Sequence, residues 1–307
     1  MAAKKKLTPA VRALRYELTN SATPGTETSH FIDLARDLSA LNRRLYRQGR
    51  TYHVKRVTIV SSNTPNLGNR ISFSTIPTSW VAQGAWKRGM KTWQLMNKEA
   101  TRNLTNDISA KWQDFKVYMS NDHRTSSNVL RPLDNGGVAV VDGEWNYTTL
   151  ISPDGTTGAD AFELHMLGDT VGAAGSVSSA ALIKSFGNTR ATVDNDQPNV
   201  PGLASDDPLL NVFDYGTTVD EVIDQLEAEN DNAPYALDDY PGGDVNMSKP
   251  LVAQDTVLVD GRASVGGFDS MCGLVEIEST SSLPSDTFSV LVELSAGSYR
   301  GIKAEVI

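Results

Sequence analysis

Cysteine is almost missing from this chain: Cys272 is the single thiol in 307 residues. One thiol excludes an intrachain disulfide and a four-cysteine zinc site. Its setting, Met271-Cys272-Gly273-Leu274, reads as a buried and inert position. Histidine is scarce as well, with His30, His53, His123 and His165 scattered and outside H-E-x-x-H spacing. No G-x-S-x-G elbow, Walker loop or dinucleotide fingerprint is present; Gly297-Ser298-Tyr299-Arg300-Gly301 fails the first of these patterns. The expectation is a protein without enzymatic chemistry or an organic cofactor.

Long apolar runs are absent too. Lys4, Lys5 and Lys6 lead into LTPAVRALRY, which has neither the apolar core of a secretory leader nor the length of a membrane span. The sequons at Asn103, Asn146 and Asn246 are therefore read as coincidental. No internal repeat recurs, which argues against a propeller or solenoid.

What the chain has is segregated charge. Residues 1–133 hold 22 Lys/Arg against 8 Asp/Glu, a net of +14, whereas the remaining 174 hold 6 against 29, a net of −23. The overall −9 hides this division. Such a chain can present one basic and one acidic surface, and a basic surface suits a polyanion.

Met1 to Ser29 combines Lys4, Lys5, Lys6, Arg12 and Arg15 with the polar run NSATPGTETS, so residues 1–28 read as a short basic arm and linker. From His30, Phe31, Leu34, Leu38, Leu41 and Leu45 recur at helical steps; Ser29 is placed to cap the helix and Gly49 to end it. Arg43, Arg44 and Arg47 would fall in its last turn, favoured by the helix dipole. Arg50, Lys55 and Arg56 continue the run beyond it, and a polyanion accounts for them better than the dipole does.

Tyr52 and Val54 alternate, and Val57 and Ile59 alternate one residue out of phase, which predicts a strand bulged at Lys55-Arg56. A second strand follows at Ile71 and Phe73. Thr78 or Ser79 then caps a helix running to about Arg102, with Lys87, Arg88, Lys91 and Lys98 interleaved among its aromatics. Aromatics among cations can stack single-stranded bases. Tryptophan at helical spacing is more often core or subunit contact, so Trp80, Trp86 and Trp93 are expected at a subunit interface.

Further strands are expected at 111–119, 138–141, 145–151, 161–167, 180–186, 251–259, 273–278 and 288–294, with a short acidic helix at 218–229. Asp206-Asp207, Glu227 to Asp231 and Asp238-Asp239 offer oxygens to a divalent cation, but none follows the twelve-residue calcium loop. Many short strands without regular helical crossovers predict a mainly β chain. The expected form is an antiparallel jelly-roll β-sandwich of about eight core strands, with helices inserted in the connections and residues 29–307 forming a single domain.

Several stretches carry a resemblance. They are Phe31 to Leu34 with Asn42 to Gly49, Lys111 to Met119, Glu229 to Gly243, Gly267 to Ile277, and Gly297 to Gly301. In this order the chain resembles capsid proteins of circular, Rep-encoding single-stranded DNA viruses of the metagenomic (CRESS-like) type. The resemblance implies a viral jelly-roll coat subunit that self-assembles into an icosahedral shell around single-stranded DNA, basic face inward. It implies a virion protein, present in the host nucleus or cytoplasm during assembly, with itself and the genome as partners and no membrane. Many such capsids begin with a long arginine-rich tail; here the charge would come from Lys4 to Lys6, Arg12, Arg15 and the Arg43 to Arg56 block. The other reading is a non-viral jelly-roll module that binds carbohydrate or nucleic acid.

Overall fold

The structure is a computed structural model, and it describes residues 8–61, 68–102, 112–153, 159–173, 176–188 and 250–307. In chain order the first strands are β1 (Ala13–Thr19), β2 (Thr28–Asp33), β3 (Arg50–Ser61) and β4 (Arg70–Thr75), with α1 (Leu34–Asn42) between β2 and β3. After β4 come α2 (Trp80–Thr101), α3 (Asn121–Thr125), β5 (Thr149–Pro153), β6 (Ala159–His165), β7 (Ser179–Ala181) and α4 (Leu182–Asn188). The C-terminal part supplies β8 (Leu251–Val257), β9 (Arg262–Val265), β10 (Phe268–Met271), β11 (Leu274–Thr280) and β12 (Thr287–Leu294). Three short strands close it: β13 (Ala296–Gly297), β14 (Gly301–Ile302) and β15 (Ala304–Val306).

Ten of these strands form two facing antiparallel sheets. One runs β1-β12-β3-β10, with β9 and β15 also paired to β3; the other runs β2-β11-β4-β8. With β9 and β10 counted as one interrupted strand, the sandwich strands in chain order are β1, β2, β3, β4, β8, β9/β10, β11 and β12. Their spatial orders are then first-eighth-third-sixth and second-seventh-fourth-fifth. That is a jelly roll, as expected.

The core between the sheets follows from period-two patterning. Leu14, Tyr16 and Leu18 of β1, Val290 and Val292 of β12, and Ile71 and Phe73 of β4 all point into it. The bulge in β3 is present where the phase change placed it: Glu293 pairs with Arg56 and Leu294 with Val54, leaving Lys55 unopposed.

The second sheet is covered on its other side as well. Among the described residues between β4 and β8, α2, α4 and the small β5-β6-β7 sheet build a second core with Phe31, Met271, Cys272 and Leu274. Adjacent residues of β2 therefore serve different cores, Ile32 the first and Phe31 the second. Cys272 is fully buried, as its sequence setting implied.

Several expectations are corrected. The segment read as arm and linker contains β1, a full member of the first sheet, so Arg12 and Arg15 belong to the folded body. The predicted helix from His30 is strand up to Asp33, and Asp33, not Ser29, caps α1 by accepting from the N–H groups of Ala35 and Arg36 at 3.0 and 3.1 Å. A strand buried on both faces lacks polar alternation, and its apolar residues imitated a helical stripe. The helix ends at Arg43, in left-handed backbone with φ 51°, well before Gly49. Arg43, Arg44 and Arg47 thus lie beyond its last turn.

The described part of 111–119 forms no regular ladder. Its backbone is satisfied piecemeal, Val117 N donating to Gln48 Oε1 at 2.7 Å and Tyr118 N to the Leu164 carbonyl at 2.9 Å. Residues 180–186 are mostly the helix α4, and 138–141 holds a single bridge at Ala139. The helix expected at 218–229 lies outside the described residues.

Candidate nucleic-acid interface

The basic candidates gather mainly at one end of the sandwich, and the contacts that bring them there are local and polar. Asn42, at the end of α1, accepts from Val11 N at 2.7 Å and donates to the Val11 carbonyl at 3.1 Å, which pins the approach to β1 beside Arg43. Arg44 donates to the Pro9 carbonyl at 3.4 Å. Tyr46 donates to the Arg300 carbonyl at 2.9 Å, and Arg300 in turn donates to the Leu45 carbonyl. The Arg50 guanidinium lies 3.7 Å from the ring centre of Tyr299, whose hydroxyl accepts from Arg47 N at 3.1 Å.

Arg12, Arg43, Arg44, Arg47, Arg50 and Arg300 therefore form one cluster, and apart from the half-buried Arg50 all are exposed. Among the described residues, Asp114 is the one carboxylate within ion-pair reach of any of them, at 2.7 Å from Arg47. Arg300 and the nearby exposed Lys303 were not singled out from the sequence. Arg300 sits in left-handed backbone (φ 52°) next to Gly301, inside a Gly-rich run that reads as turn chemistry before it reads as a site.

The remaining candidates occupy the outer face of the first sheet, where Arg15, Lys55 and Arg56 are joined by Arg262. This face is electrically mixed. Glu293 holds Arg56 at 2.6 Å, Glu17 is exposed on the same side of β1, and Asp269 pairs with His53. Lys4, Lys5 and Lys6 lie outside the described residues, although the chain enters the described part at Thr8, within the cluster.

The three tryptophans part company. Trp86 is 4% exposed, edge-on to Phe115 at 5.6 Å, and a Cβ on Gly49 would stand 2.6 Å from its ring. It is a core residue, not a subunit contact, because the α2 face that carries it is the face buried on the second core. Trp93 is half-buried against Phe115, and Trp80 is 54% exposed beside Phe186. Lys87, Arg88, Lys91 and Lys98 line the solvent face of α2.

Behind the cluster is a buried polar network on β2 and α1. Asp33 Oδ2 accepts from Gln48 at 2.8 Å, Trp145 at 3.0 Å and Tyr147 at 3.3 Å. Asp37 accepts from Arg36 at 2.8 Å and from Tyr16 at 2.6 Å. Burial outweighs the neighbouring Arg36 cation and raises the Asp37 carboxyl to about 7. His123 is held neutral, its pKa lowered to about 3 by burial with a smaller push from Arg36. This network has the make-up of a structural fastener that orients the arginine-bearing end of α1.

Among the described residues no three His, Cys, Asp or Glu side chains stand close enough to share a metal ion, and the acidic clusters at 206–207, 227–231 and 238–239 lie outside them. No helix among the described residues is long and apolar enough to cross a membrane. The fold defines the chain as a jelly-roll β-sandwich with a large helical and β insertion between its fourth and fifth strands. No protein-family model, curated protein or solved structure matches it.

Proposed function

We propose that this chain is a structural capsid subunit that assembles into a closed icosahedral shell and packages single-stranded nucleic acid, DNA by the resemblance, within the virion. The observation that carries the reading is the coincidence of a jelly-roll sandwich with an arginine cluster, nearly uncompensated among the described residues, at the end where the chain enters the described part at Thr8. Arginine and lysine neutralise phosphates and release counterions without reading sequence, which is what packaging a genome requires. Exposed apolar side chains support the assembly half of the reading. Leu251, Val252, Val257 and Val259 are each at least half exposed on and just after β8, and Trp80 and Leu95 are so on α2. The reading includes no catalytic role.

Electron microscopy of the purified, nuclease-treated chain tests it, followed by sizing of protected nucleic acid. Uniform closed particles that shield nucleic acid are the expected result. Small soluble species at every salt, pH and calcium level would overturn it and favour a jelly-roll binding module.

A further inference from the structure

A hollow of about 630 Å³ opens beside the arginine cluster, and its lining is unlike that of a purely electrostatic surface. Three of the chain's five tryptophans, Trp93, Trp112 and Trp145, line it together with Arg43 and Arg44. Trp145 is anchored by its indole N–H to Asp33 at 3.0 Å and carries the Lys116 ammonium 4.8 Å from its ring centre. Trp93 is braced on Phe115, and Trp112, 64% exposed, offers indole surface at the hollow's edge. The volume falls within the range of about 300–1,000 Å³ typical of small-molecule sites.

Carboxylates line the hollow as well, and their pairing matters. Asp114 is held by Arg47 at 2.7 Å, Asp142 by Arg131 at 3.0 Å, and Glu144 accepts from Asn146 at 3.3 Å. Asp114 and Asp142 are thus neutralised by arginines. All three remain acceptors, suited to an N–H on the edge of a base, an exocyclic amino group or the ring N3–H of thymine, but not to a phosphate. Arg43 and Arg44, without an acidic partner among the described residues, suit the phosphate.

We infer that this hollow is a subsite for one unpaired nucleobase of a single strand, stacked on Trp112 with its phosphate held by Arg43 and Arg44. The inference rests on the nucleic-acid reading above and deepens it: the chain would select single strands by stacking as well as by charge. Duplex DNA hides its base faces and would gain nothing from the hollow.

The test compares the full chain's affinity for oligothymidylate, for an abasic strand of equal length and charge, and for a duplex, by fluorescence anisotropy at fixed salt. One stacked base is expected to favour oligothymidylate over the abasic strand by about tenfold. Trp112→Ala should abolish that preference and Trp112→Phe keep most of it, with abasic and duplex binding unchanged in both. Trp112 is 64% exposed, and both variants are first checked for the parent's unfolding midpoint, so that a lost preference reads the ring and not the fold. Equal affinity for the base-bearing and abasic strands, with normal salt dependence, would overturn the stacking subsite and leave the polyanion reading standing. No binding of any strand would overturn both.

Discussion

Asp33 shows how much one side chain decides here. It is fully buried, caps α1 with one oxygen and gathers three donors from the following loop and the insertion with the other. Asp33→Ala removes a helix cap, worth about 0.5–2 kcal/mol. It also strands buried donors at about 1–3 kcal/mol each. A loss of at least about 3 kcal/mol in urea unfolding is expected; a midpoint shift equivalent to less than about 1 kcal/mol would mean the network is not a fastener. Two buried titrating groups pull stability in opposite directions with pH. Asp37 has a folded pKa of about 7 against 3.8 unfolded, so the folded state binds the extra proton, and its contribution is lost as pH rises from about 4 to about 7. His123, lowered to about 3 from 6.5, makes the unfolded state the proton binder, so its contribution is lost as pH falls from about 6.5 toward 3. Stability measured against pH for Asp37→Asn and His123→Asn should therefore deviate from the parent with opposite slopes, and matching slopes would refute both assignments.

The elements divide by how locally they are specified. β3 and β12 were legible because their alternation is clean and because the phase change at Lys55-Arg56 can be only a bulge when one face is buried. The same held for α2, with Ser79 accepting from Ala82 N at 3.2 Å as its cap. β1 has equally strict alternation in ALRYELT, but its flanking lysines and polar run read as a tether. β2 was illegible for a different reason: a strand buried on two sides carries no period-two signal, and only tertiary structure reveals that Phe31 and Ile32 enter different cores. The second core likewise decides the role of Trp86. Trp86→Ala should cost about 3–5 kcal/mol of subunit stability in denaturant unfolding. Trp80→Ala, at a half-exposed position, should cost well under that and weaken association instead. An unchanged unfolding midpoint for Trp86→Ala would return that residue to the surface.

At the scale of the molecule, strand order was beyond the sequence, since each neighbour pair of the two sandwich sheets joins residues far apart in the chain, as β1 with β12 does. The charge asymmetry was legible, but it overstated the site by treating every cation in the basic half as equivalent. The fold sorts them. Arg43 and Arg44 stand in the end cluster without carboxylate partners among the described residues, whereas Arg56 is held by Glu293, whose own pKa is lowered chiefly by that hydrogen bond. A phosphate arriving at Arg56 must displace or coexist with an anion already there; one arriving at Arg43 displaces only counterions. On single strands each phosphate contact contributes about 0.7 to the slope of log affinity against log salt. Arg43→Gln with Arg44→Gln should therefore flatten the slope by about 1.4. Arg56→Gln should leave it close to the parent, or steepen it slightly as Glu293 is freed. Filter binding of a single-stranded oligonucleotide across a salt series reads the difference. Equal flattening by all three substitutions would mean that the protein uses its basic half as a diffuse field, and that the clustering at the end of the sandwich has no part in holding the strand.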